Sequence, residues 1–274
     1  MGLSLMWERS VDLEKGGKKY WDDLWDNSEL PGGPEPSQPG LKNYVNYRFH
    51  EFFSRLFSNM ETQNKRLLEI GCARSIWLPY FAKKFGFQIC GLDYSEVGCG
   101  QATRLLLREG VEGNVVCSNF FSPPQSMLEA FDVVVSFGVV EHFADTDGCI
   151  AAFSRFLKPE GMLITNIPNL RGWVGWLQRI LNRDVFDIHV PLSLEHLADI
   201  HRKNGFSVLS CDYFLLANFG VLNLENLREH PLLQWILPLR SWTNKLIWIL
   251  EKFIPFLMPN PWSSPYINCV ALKS

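Results

Sequence analysis

The sequence predicts an α/β protein built on a doubly wound, mostly parallel sheet, and three observations carry that prediction. Residues 66–97 read as strand, tight glycine turn, helix and strand: Leu67–Ile70 is a short apolar run, Gly71-Cys72-Ala73-Arg74-Ser75 the turn, Ile76–Phe85 a helical spacing and Gln88–Leu92 apolar again. Asp93 then closes the second strand, about 20 residues past Gly71, where an acid can bind both ribose hydroxyls of an adenosine. Finally, Phe131–Ser136 is continuously apolar apart from Asp132 and the final serine, as expected of a parallel strand covered on both faces.

The turn narrows the ligand. A dinucleotide needs G-x-G-x-x-G so that backbone and helix can close on a pyrophosphate. Here the three positions hold Gly71, Ala73 and Ile76, which argues against an NAD-dependent oxidoreductase, and no P-loop pattern occurs. Glu69 at the end of the first strand suits a ligand carrying an ammonium and a sulfonium better than one with two phosphates. The segment thus resembles motif I of the class I S-adenosylmethionine (SAM) methyltransferases, [E/D]-x-G-x-G-x-G. Glu69 and Gly71 match it; Ala73 and Ser75 depart from it.

Later segments follow the same family in order. Asn114–Cys117 reads as the third strand, followed by Ser118-Asn119-Phe120, where the resemblance implies an acceptor for the adenine amino group. Phe137–His142 resembles the segment after the fourth strand that carries active-site residues in small-molecule methyltransferases. Residues 156–169 look like the Pro-Gly turn and fifth strand, and 192–214 like the last helix and sixth strand. The resemblance implies a seven-stranded, Rossmann-like methyltransferase fold with SAM as cofactor, held by Glu69, Gly71, Ala73, Asp93, Tyr94, Asn119, Phe120, Phe137 and, from the arm, Tyr20.

Composition agrees with one enzyme domain. The chain has 274 residues, a net charge of −3 and no basic footprint of a nucleic-acid binder. Its seven cysteines are scattered, without C-x-x-C pairs, as buried thiols in a reducing compartment would be. Residues 1–17 lack a signal peptide's basic region and long apolar run, and no apolar stretch of spanning length occurs. These features give the expectation of a cytoplasmic protein.

Three additions flank the expected domain of 61–213 and 265–274. The first is an arm over residues 1–60: aromatic and acidic at Lys18–Asp26, Pro/Gly-rich at 28–40 and helical at 41–59. Tyr20, Trp21 and Trp25 either pack the arm onto the domain or form a lid over SAM. The second, 169–192, lies where substrate loops of this family emerge. Its helix is expected to end at Asn182-Arg183-Asp184, and alternation in an extended DIHVP segment puts Asp187 and His189 on the same side. The third, 214–264, replaces the tight hairpin normally joining the last two strands, the seventh being Tyr266–Leu272. It is rich in Leu, Ile, Trp and Phe, and Pro231, Pro238, Pro255 and Pro259 are expected to cut it into short helices, with Arg228, Arg240, Lys245 and Lys252 between apolar blocks. A roof over the substrate pocket, a homodimer face and a peripheral membrane contact through 222–262 all fit.

The chemistry follows from the cofactor. Transfer from a sulfonium is an in-line displacement, so the protein must align the acceptor and exclude water. For a hydroxyl acceptor, His142 is the candidate base, with Glu141 positioning it or binding the acceptor and His189 a further active-site candidate. In the similar ubiquinone-biosynthesis O-methyltransferases, the matching E-x-x-E-H segment holds a divalent cation. Here Gly138 replaces the first Glu, so no metal is expected. The acceptor expected is a small hydrophobic, lipid-linked or sugar-type molecule; a noncatalytic SAM-binding scaffold is the alternative.

Overall fold

The computed structural model describes residues 14–227, 231, 233–254 and 257–274. The first 13 residues of the arm, Arg228 and Pro255 lie outside these.

The strands are β1 Arg66–Ile70, β2 Gln88–Asp93, β3 Asn114–Cys117, β4 Phe131–Phe137, β5 Leu157–Pro168, β6 Phe206–Phe214 and β7 Tyr266–Lys273. They form a single sheet in the order β3-β2-β1-β4-β5-β7-β6. β1 to β5 pair in parallel, and β7 inserts antiparallel to both β5 and β6. The chain order reverses at β1, between β2 and β4, which opens a crevice beyond the carboxyl ends of these strands.

Both faces are covered, which explains the apolar runs. Successive residues of β1 enter opposite cores. Leu68 joins Phe131, Phe153 and Ile200 on one face, whereas Leu67 joins Phe53, Phe81 and Val133 on the other. The helices are α1 Gly17–Asp26, α2 Tyr44–Leu56, α3 Trp77–Phe85, α4 Glu96–Glu109, α5 Thr146–Ser154, α6 Trp173–Leu181, α7 Arg183–Asp187, α8 Leu194–Lys203 and α9 Leu233–Phe253. α2, the helical part of the arm, lays Phe49, Phe53 and Phe57 into the core that contains α3. The Phe49 and Phe53 rings approach Phe137 with centroids 6.1 Å apart in each case.

α1 docks on α4 at the mouth of the crevice. Ser95 Oγ donates to Asp22 at 2.6 Å, Gln101 Nε2 donates to the Trp25 carbonyl at 2.5 Å, and Lys18 pairs with Glu96 at 3.1 Å. Upstream of it, Glu14 bridges to Phe143 and Lys15 N donates to the His142 carbonyl at 2.9 Å.

Two sequence expectations are corrected. The insertion between β6 and β7 is not cut into short helices: α9 runs through Pro238 for 21 residues. Pro238 lies in the second turn, where the ring removes one intrahelical hydrogen bond without ending the helix. And the DIHVP segment does not start extended: Asp187 ends a helix and Ile188-His189 turn after it. Asn182 Oδ1 accepts from Val185 N at 3.3 Å and caps α7, a second short helix. Asp187 therefore pairs with Arg183 at 3.3 Å, not with His189.

Candidate active site

A cavity of about 290 Å³ opens at the crevice. Its floor is the turn after β1. Gly71 has φ +77°, and a Cβ there would stand 2.4 Å from Val139 Cγ2, so both conformation and space demand glycine. Asp93 braces this turn: Oδ2 accepts from Ala73 N at 3.1 Å and Oδ1 from Ser95 N at 2.9 Å. The carboxylate still has acceptor capacity on the cavity side. Burial pushes it up to about 6 in spite of these bonds.

Glu69 also lines the cavity and is 1% exposed. Burial raises its carboxyl to about 8, against a bond from Ser75 and with help from the Asp93 charge; its Oε2 has no partner. An orphaned buried carboxyl on a cavity wall fits a cationic ligand, as the ammonium and sulfonium of SAM require.

Of the other residues assigned to the cofactor from sequence, Gly71, Ala73, Tyr94, Phe120 and Phe137 line the cavity. Two do not. Asn119 spends its amide oxygen on Phe121 N at 2.9 Å in a tight turn, leaving its neighbours Ser118 and Phe120 on the wall. Tyr20 packs edge-on against Trp21 outside the lining, and Trp21 and Trp25, one helical turn apart on the same face of α1, cover the cavity instead. Glu14 completes this cover by accepting from Trp21 Nε1 at 2.8 Å and from Tyr94 Oη at 2.5 Å. Among the described residues, none of 215–265 lines the cavity.

After β4 the chain makes a tight turn. Gly138 has φ +68°, followed by a 3-10 turn over Val140–His142. That left-handed backbone favours glycine where the similar enzymes carry a carboxylate. His142 faces the cavity, 5% exposed, with its ring edge-on to Trp21 at 4.8 Å. Its Nδ1 donates to the Ile188 carbonyl at 3.1 Å, which leaves the Nε2 lone pair free of that bond. Burial first, then His189 and Lys15, hold its pKa down to about 3. His189 sits behind it, ring centroids 4.3 Å apart, with Nδ1 donating to the Val185 carbonyl at 2.5 Å. Burial likewise lowers His189.

Glu141 is buried beside them. Burial raises it to about 8, and its Oε2 has no partner. One ligand atom from each of Glu141, His142 and His189 lies within 4.8 Å of the others. The expectation of a metal-free site rested on Gly138 alone; His189, from a distant loop, supplies a third donor beside the two that match. An orphaned carboxylate oxygen and two imidazoles fixed through Nδ1 fit a divalent cation.

A family model described as a methyltransferase domain matches residues 41–211. The chain is 24% identical over 161 residues to the ubiquinone biosynthesis O-methyltransferase of Bartonella quintana; the match covers 56% of this chain and 64% of that relative's length. Among solved structures it resembles a putative sarcosine dimethylglycine methyltransferase from Galdieria sulphuraria (TM-score 0.61, 15% identity, 94% of this chain and 98% of that one). It also resembles the geranyl diphosphate C-methyltransferase from Streptomyces coelicolor (TM-score 0.59, 16% identity, 94% and 98%), solved with Mg²⁺, geranyl diphosphate and S-adenosylhomocysteine. With a family match over more than half its length, on a sheet of this order and an acid-flanked glycine turn, the chain belongs to the class I SAM-dependent methyltransferase family.

Proposed function

We propose that the protein transfers the methyl group of SAM to a hydroxyl of a small hydrophobic, lipid-linked or sugar-type acceptor. The observation that carries the reading is His142: a neutral imidazole on the cavity wall, in the turn after β4, with Nε2 available and Trp21 against its ring. The acceptor oxygen attacks the methyl carbon, the S–C bond breaks, the sulfonium becomes a thioether, and the hydroxyl proton passes to Nε2. A base this weak takes the proton late, after the sulfonium has begun to collapse. The similarity to a ubiquinone biosynthesis O-methyltransferase supports a hydroxyl acceptor with an apolar body, and the cavity wall built from Trp21, Trp25, Trp77, Phe120 and Phe137 suits one.

The Glu141–His142–His189 cluster favours a second reading of the same step: these three residues would hold a divalent cation, which would supply Lewis-acid polarisation of the acceptor oxygen. Labelled-methyl SAM incubated with a fractionated metabolite extract tests the activity. A labelled product is expected, with His142→Ala lowering turnover about 10²–10⁴-fold. No product from any fraction would leave the scaffold alternative. Full activity in His142→Ala would reject the base, and loss in EDTA restored by a divalent metal would select the cation reading.

A further inference from the structure

Helix α9 is amphipathic in the inverted sense. Trp235, Leu239, Trp242, Leu246, Ile249 and Phe253 all point to solvent, between 40% and 73% exposed. Their spacing of four and three residues puts them on one stripe of the helix, about 30 Å long. Two polar residues, Asn244 and Glu251, face inward. Asn244 is buried and accepts from Phe219 N, Glu251 pairs with Arg48 at 2.6 Å, and Trp248, also buried, stacks on Tyr44. The helix is thus anchored to α2 and to the 217–219 turn by its inner face and leaves its apolar stripe unpartnered.

The apolar surface continues onto α6. Trp173, Trp176 and Ile180 are each more than 60% exposed, and Ile236 of α9 packs on the same small cluster as Val174 of α6. Trp262, 67% exposed, joins them, its carbonyl accepting from Trp173 N at 2.8 Å. A monomer rarely exposes so continuous an apolar face without a partner for it.

We infer that α9, α6 and the 258–262 loop dock this protein on a lipid bilayer, lying in its interface plane. Composition selects the bilayer. Five of the exposed apolar side chains are tryptophans (173, 176, 235, 242 and 262), the residue enriched where hydrocarbon meets headgroup. Lys245 lies beside the stripe and exposed Arg179 on α6, where long cationic side chains reach headgroup phosphates. Two indoles in the stripe fill positions that a helix–helix seam gives to Leu, Ile or Val, and a surface spread over two helices and a loop is wider than such a seam. No helix among the described residues is long and apolar enough to cross a membrane, so the contact is peripheral.

Cosedimentation of the full chain with phosphatidylcholine vesicles, with and without phosphatidylserine, tests the inference. Association with both is expected, stronger with the anionic lipid. The double substitution Trp235→Glu/Trp242→Glu should weaken it roughly 100-fold or more, while circular dichroism and SAM affinity stay unchanged. Failure of the intact chain to bind either vesicle would overturn the inference. If light scattering then gave a dimer that the double variant dissociates, a second copy would be the occupant. Vesicle binding that survives the double substitution would equally reject this face.

Discussion

SAM binding should be linked to proton release, and Glu69 should be the main source. In the free protein this carboxyl is buried on the cavity wall with Oε2 unpaired, and burial raises it to about 8. At pH 7 it is mostly protonated. A ligand bearing a sulfonium and an ammonium is held by the ionised form, so binding must drive the proton off. Asp93, raised to about 6, adds a smaller contribution in the same direction. The ionised fraction of a group at 8 falls from one half at pH 8 to about one hundredth at pH 6, so affinity should drop roughly 50-fold over that interval from Glu69 alone. Titration calorimetry at pH 6, 7 and 8, in two buffers of different ionisation enthalpy, measures both quantities. At pH 7 close to one proton should be released per SAM. Glu69→Gln should bind more weakly at pH 8 and lose most of the pH slope; the titration of the ligand itself is common to both proteins and cancels in the comparison. The reasoning is refuted if the variant keeps the parental slope, or if the parent releases no proton.

Two further outcomes follow from the same geometry. Asp93→Ala removes the brace on Ala73 N and Ser95 N together with the carboxylate proposed to accept from ribose, and should weaken SAM binding by roughly 2–4 kcal/mol in the same calorimeter; parental affinity would remove Asp93 from the cofactor site. Glu141, raised by burial to about 8 from an ordinary 4.5, gives a stability contribution that is full below about pH 4.5 and is lost as the pH rises through 8. Between pH 6 and 8.5 that loss is roughly 2–3 kcal/mol, so Glu141→Gln should flatten the pH dependence of the urea midpoint by that amount. An unchanged pH profile would mean that the carboxyl already has a partner, as the cation reading requires.

The sheet was legible because its signals are local. A parallel strand covered on both faces shows as an apolar run, and the Gly71 turn shows as a glycine between an acid-ended strand and a helix; the ends read from the sequence for β1 to β4 and β7 fall within a residue of those in the structure. The cavity floor was legible for the same reason. Its cover was not. Glu14 acts by reaching Tyr94 and Trp21, contacts that no local pattern encodes. Trp21 and Trp25 could have been preferred to Tyr20 from helical spacing alone, since only those two share the face turned to the cavity. Asn119 illustrates a competition: an amide suited to adenine is equally suited to closing its own turn, and the turn takes it. His189 reached the site by a route the sequence misdescribed. Periodicity in DIHVP gave an extended segment facing Asp187, whereas the Asn182 cap turns the chain into α7 and brings the imidazole behind His142. In the insertion, the prolines suggested breaks, but α9 runs through Pro238 at the loss of one backbone hydrogen bond.

A crystal structure with S-adenosylhomocysteine tests most directly whether SAM occupies the cavity between the Gly71 turn, Asp93 and His142. The ribose hydroxyls are expected on the Asp93 carboxylate, the amino acid end at Glu69, and the sulfur directed towards His142 beneath Trp21. A nucleoside bound elsewhere, or an Asp93 carboxylate still bonded only to Ala73 and Ser95, would contradict this placement.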